Sequence, residues 1–291
     1  MQMEAGFPEL IDTRGLRLAI DDAFNWVVIE WGRQLELAFL PVLRLLNNIE
    51  DGLLWTPWYI VILAIAGIGY LATRSIATAI GIVVMLFLTG LIGLWEPAMA
   101  TIALMLTATF LAILVGIPLG ILMSRSDRMQ SIMLPVLDVM QTMPIFVYLI
   151  PFVMLFGPGK IPALLATIVF AVPPVIRLTN LGIRQVDAEV IEAVTAFGAT
   201  STQRLFSVQI PLALPTIMAG INQTTMMALS MVVIASMIGA GGLGYQVLQG
   251  IQRLEVSRGL LAGLAIVFLA IIFDRIAQAY GRRVQQHLHN S

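Results

Sequence analysis

Cysteine is absent from all 291 residues, which excludes a disulfide framework and any thiolate-held metal. Lysine is nearly so. The single one, Lys160, stands in Gly157-Pro158-Gly159-Lys160-Ile161, and no Gly-Lys-Ser/Thr occurs, so the chain holds no phosphate-binding loop and does not itself hydrolyse ATP in the usual way. Histidine occurs twice, as His287 and His289 in the polar C-terminal tail. That placement excludes a Ser–His nucleophile inside the apolar stretches and leaves them no histidine for a metal. Charge is equally scarce, at 11% of residues and a net −1, so there is no basic footprint for nucleic acid. The first twenty residues lack an apolar core and carry Glu4, Glu9 and Asp12, which does not describe a secretory signal.

What the chain has in abundance is apolar length. With 59% hydrophobic residues and a mean hydropathy of +0.93, it reads as an all-α polytopic membrane protein. Seven apolar segments stand out: Leu53 to Thr73, Ile76 to Trp95, Pro97 to Met123, Ser131 to Phe156, Ile161 to Ile183, Leu212 to Ile238 and Gly259 to Tyr280. Each is close to the span of about 20 residues that a bilayer core requires. If they alternate, Arg74, Arg125, Arg128, Arg177, Arg184, Arg204, Arg275, Arg282 and Arg283 share one side, which the positive-inside rule makes cytoplasmic. The C-terminus then lies inside, and the N-terminal tail, with nine acids and four bases, lies outside. Trp55, Trp58 and Trp95 fall at the outer interface, as an aromatic belt does. Within residues 1–52, Phe24, Val27, Trp31, Leu35, Phe39, Val42 and Leu46 recur at helical spacing and predict an amphipathic helix bent at Pro41. Glu30, Arg33, Glu36 and Arg44 interrupt it, so it is expected to lie on the membrane surface or against the other spans and not to cross.

One soluble-looking interruption breaks this pattern. Val190 to Phe197 reads as a short helix with Asp187 and Glu189 at its start, where carboxylates suit the positive end of the helix dipole. Gly198 ends it in the left-handed turn that glycine tolerates. Thr200 with Gln203 three residues on is a capping-box pattern that opens a second short helix, and Pro211 and Pro215 open the next apolar run. The expectation is two small helices at a right-angled elbow between spans.

At these residues the sequence resembles the membrane-spanning subunits of ATP-binding-cassette importers, whose signature is Glu-Ala-Ala, three residues, Gly, nine residues, Ile-x-Leu-Pro. Here Glu192-Ala193-Val194, Gly198 and Val208-x-Ile210-Pro211 keep the spacing, with apolar residues replacing apolar ones. Further along, Gln141-Thr142-Met143-Pro144, Tyr148-Leu149-Ile150-Pro151, Phe170-Ala171-Val172-Pro173-Pro174, Arg177 to Arg184, Asn222-Gln223 and Met237 to Gly244 are together similar to the permease of glycine betaine/proline-type osmolyte importers. The resemblance implies a type I transport core of five helices at 97–280. Two accessory spans at 53–96, the outer tail at 1–52 and a cytoplasmic tail at 281–291 complete that division. It also implies a coupling elbow at about 187–211, in which Glu189, Glu192, Ala193, Gly198 and Pro211 meet a cytoplasmic ATPase. That partner carries the ATP and magnesium, this chain holding no cofactor of its own. An extracytoplasmic substrate-binding protein, a second permease copy beside two ATPases, and surrounding lipid of a bacterial inner membrane are the other implied partners. The expected cargo is a quaternary amine of the glycine betaine, proline or choline class. An ion-coupled secondary transporter of a small solute is the alternative, and would need coupling carboxylates in broken helices and no docking elbow.

The residues of a path are less sharply marked. Prolines interrupt the core spans and free backbone carbonyls, so Pro144, Pro173 and Pro174 either line a path or sit in plain helix packing. Asp138 is the one acid well inside the fourth segment, and is either functional or paired with an arginine near the cytoplasmic end. Phe146, Tyr148, Phe152 and Phe170 offer ring faces to a quaternary ammonium, or simply pack. Gly239-Ala240-Gly241-Gly242-Leu243-Gly244 matches a dinucleotide fingerprint but follows a membrane helix in place of a strand, and is read as a tight outer turn or re-entrant entry.

Overall fold

The structure, a computed structural model, describes residues 13–289, with side chains described as far as Gly281. The readings of residues 1–12 and of the side chains of His287 and His289 lie outside the described residues. Among the described residues every regular element is helical.

Helix α1 (Thr13–Trp55) runs unbroken through Pro41 for 43 residues. The sharp turn falls later, at Thr56-Pro57, where the chain bends by 110° into α2 (Trp58–Thr73). Thr56 Oγ1 donates to the Gly52 carbonyl at 2.7 Å, closing the helix end ahead of the proline. The predicted apolar stripe is real but one-sided in use. Its C-terminal part packs against the body, with Leu46 buried and Phe39 edge-on to Phe156 at 5.7 Å, whereas Trp31 remains exposed.

α2 and α3 (Ile76–Leu91) form a hairpin whose turn holds Arg74 at φ +54° and Ser75 as N-cap, accepting from the Thr78 N–H. Each has 16 residues, or about 24 Å at 1.5 Å per residue, against a hydrocarbon core of about 30 Å. Trp58 and Trp95 line one pocket with Leu86 and Phe87.

The centre of the molecule is α7 (Lys160–Arg184), packed between α4 (Trp95–Ser124) and α10 (Ile210–Ala235). Small residues let these backbones touch. A Cβ added at Gly120 of α4 would lie 2.8 Å from the Ile176 carbonyl and 2.6 Å from Thr179 Cβ, so only glycine fits that crossing. Pro173 and Pro174 lie buried at this contact inside an α7 that stays continuous.

Two expected spans are built differently. The fourth segment is not one straight helix but α5 (Asp127–Thr142) and α6 (Ile145–Phe156), bent by 94° at Met143-Pro144. The cause is local: the residue before a proline is pushed out of the helical region, and Met143 has ψ 133°. The sixth begins earlier than Leu212. α9 (Ser201–Arg204) passes through a π-turn at Leu205–Gln209 directly into α10, so the second elbow helix is the first turn of that span and not a separate element. Pro211 has no N–H to bond the Ser207 carbonyl, and the π-turn, with the Ile210 N–H on the Leu205 carbonyl, absorbs the mismatch. Four described helices are thus long and apolar enough to cross a membrane, or six if each bent pair is one span.

The glycine-rich segment is a turn, as read: Gly239, Gly241 and Gly242 have φ of +100°, +79° and +82°. It leads into α11 (Leu243–Gln252), an amphipathic helix absent from the sequence reading, which folds back on α12 (Val256–His289). The Leu243 N–H donates to buried Thr101 Oγ1 at 2.9 Å, anchoring the turn to α4.

Candidate functional site

The elbow begins with α8 (Ala188–Ala196), where Asp187 caps the helix by accepting the Glu189 N–H at 2.9 Å. Phe197 closes α8 and Gly198 follows at φ +84°. The Thr200 N–H donates to Gln203 Oε1 at 2.9 Å while the Gln203 N–H donates to Thr200 Oγ1 at 3.3 Å, so both halves of the capping box are made. Arg204 reaches back to Thr195 Oγ1 at 3.4 Å and ties the two arms of the turn.

What distinguishes α8 is what it lacks. None of its residues is buried, and Glu189, Glu192 and Ala193 all face outward. Phe197 is 94% exposed and Phe206 60%, so the elbow presents acid and aromatic surface that nothing among the described residues covers. Such a helix of nine residues gains little from propensity alone and is held by its caps. Pro211 lies at the far end of the elbow, inside α10.

The path residues separate into four groups. Tyr148 is buried, donates from its hydroxyl to the Met140 carbonyl and meets Phe170 edge-on at 5.8 Å, with Phe152 packed on the same cluster. Phe146 points away and is 62% exposed. Pro144 caps α6 at the break, while Pro173 and Pro174 are packed in the helix crossing. Asp138 is ion-paired with Arg177 of α7, so the arginine partner is found two turns before the end of that helix. A larger apolar cavity of about 570 Å³, between α2, α4, α10 and α12, contains none of these residues.

Residues 112–286 match the family described as "Binding-protein-dependent transport system inner membrane component", over more than half the chain. The chain belongs to that family. It is 49% identical over 263 residues to the glycine betaine/proline betaine transport system permease of Escherichia coli (strain K12), covering 90% of this chain and 74% of the relative. Against the glycine betaine transport system permease of Bacillus subtilis (strain 168) the identity is 44%, over 89% and 92%. The glycine betaine/carnitine transport permease of Listeria monocytogenes is 43% identical over 90% and 96%. A chain of the inward-facing MetNI methionine ABC transporter superposes with a TM-score of 0.59 at 21% identity, covering 66% of this chain and 95% of that one, and supports the fold. As a member of this family the chain is a non-catalytic, multi-pass subunit of the inner membrane.

Several contacts of this permease carry no signal in the sequence. Lys160 Nζ bonds Glu50 at 2.7 Å and Asn47 Oδ1 at 3.2 Å, joining α1 to the start of α7. Arg184 bonds Asp127 at 2.7 Å, Asn180 at 3.2 Å and the Met123 carbonyl at 3.3 Å, joining α7 to the α4–α5 turn. The rarity of lysine was the one visible hint for the first.

Proposed function

We propose that this permease carries a methylated amine of the glycine betaine class inward across the cytoplasmic membrane, driven by a separate ATPase. The observation that carries the reading is its likeness over nine-tenths of its length to permeases named for glycine betaine transport. The exposed elbow supports the coupling half of it. Glu189 and Glu192 stand three residues apart, hence on one face of α8, and the uncovered ring of Phe197 follows at its C-terminal end. A cytoplasmic cleft with basic walls and an apolar floor is the matching surface, and on such a partner the ATP and magnesium are bound.

Two copies of this chain with two ATPases, and a binding protein at the outer face, complete the transporter. The orientation follows the arginines, with the C-terminus in the cytoplasm and the N-terminal tail outside. Tyr148, Phe152 and Phe170 lie beyond the α5–α6 break and offer ring edges and faces to a quaternary ammonium. Uptake of a panel of labelled methylamines by vesicles holding the chain, its ATPase and its binding protein tests the assignment. Accumulation of glycine betaine is expected. Exclusion of every methylated amine contradicts the reading.

A further inference from the structure

Among the described ion pairs, Asp138–Arg177 is the one joining two helix interiors. At 1.5 Å per residue along each helix, Arg177 lies about 10 Å from the end of α7 and Asp138 about 16 Å from the start of α5. Charges within membrane-embedded helices face a watery cavity or a bundle interior and not lipid. The pair is not sealed in the core, since the Asp138 side chain is 62% exposed and that of Arg177 35%. Nor is it complete. Asp138 accepts from Nη2 alone, and the buried Nε–H of Arg177 has no partner. The Nε–Nη2 edge of a guanidinium takes both oxygens of a carboxylate in parallel bonds, so this edge is half-satisfied while Asp138 holds it, and a second acceptor reaches it when Asp138 moves aside.

We propose that this pair is a zwitterion-exchange site on the translocation path. The carboxylate of a betaine takes the Nε–Nη2 edge of Arg177, and its quaternary ammonium, having no N–H to donate, takes the released carboxylate of Asp138. One internal pair becomes two pairs with the substrate, and no proton moves. A simple cation or a simple anion at the same place leaves one charge uncompensated, a costly arrangement away from water, so the site favours molecules carrying both charges. The inference rests on the betaine reading above. The competing account is a structural staple between α5 and α7.

The test uses the full complex of permease, ATPase and binding protein in vesicles, with labelled glycine betaine. Asp138→Asn, Arg177→Gln and the double variant each lower uptake about tenfold or more relative to wild type, per permease in the membrane, as losing a close charge contact does. For a staple, Arg177→Lys keeps an ion pair with Asp138 and retains uptake, whereas it lacks the Nε–Nη2 edge the site uses; retained uptake in that variant overturns the site. A second measurement needs neither charge removed. The chain has no cysteine, so Gln141→Cys, exposed and one turn from Asp138, is a single reporter. Its modification by a small methanethiosulfonate slows when excess betaine is present in the working complex. An unchanged rate in a complex that transports betaine refutes the site alone. A wild-type complex that transports no betaine refutes the substrate reading, and the site with it.

Discussion

Replacing Gly198 isolates the elbow from the rest of the fold. The residue sits at φ +84°, and a Cβ built there meets nothing within 4 Å, so a substitution is opposed by backbone conformation and not by crowding. For a β-branched side chain in that region the penalty is about 1–3 kcal/mol, which lowers the population of the native turn about 5- to 150-fold. Because α8 buries no residue of its own, the penalty falls on the elbow and leaves the α4–α7–α10 packing intact. Gly198→Val is therefore expected to insert and accumulate at wild-type levels, lose co-purifying ATPase, and lose uptake. Gly198→Asn is the control, because asparagine enters the left-handed region at little cost, and it should retain most uptake. Measured together, wild-type uptake in Gly198→Val removes the elbow from coupling, while loss of the protein from the membrane places the glycine's role in folding.

Glu192→Lys reverses a charge on the uncovered face of α8, and should weaken ATPase co-purification in a salt-dependent way without changing the amount in the membrane. Gly120→Ala drives a Cβ into the Ile176 carbonyl and Thr179, and should destabilise the bundle by about 1–3 kcal/mol, read as a lower midpoint of thermal unfolding in detergent. A periplasm-active reporter fused after Ser291 should be silent and one before Gln2 active; the opposite pattern overturns the orientation. The isolated chain should turn over no ATP.

The elbow was legible because its determinants are short-range. Asp187, Gly198 and the Thr200–Gln203 box each act within four residues, and each appears in the structure where its spacing put it. Segments judged by averaged hydropathy were less faithful. Over Ser131 to Phe156 the average passes smoothly across Met143-Pro144, although the proline there turns the chain by 94°. The π-turn ahead of Pro211 was hidden for the converse reason, since a proline that reads as a helix start is absorbed within a longer helix. α11 escaped notice because its ten residues are polar enough, with Gln246, Gln249 and Gln252, to resemble a loop. The ion pairs are a different matter. Arg177 and Asp138 lie 39 residues apart, and Lys160 and Glu50 110 apart, so only the packing of α1, α5 and α7 selects which acid meets which base.

The most direct measurement is ATP-dependent accumulation in vesicles reconstituted with this permease, its ATPase and its binding protein, with glycine betaine outside and the nucleotide within reach of the ATPase. Accumulation against a gradient that requires all three proteins and stops without ATP is the predicted result. Accumulation that persists without ATP or the ATPase and follows an ion gradient would contradict the account and restore the secondary transporter.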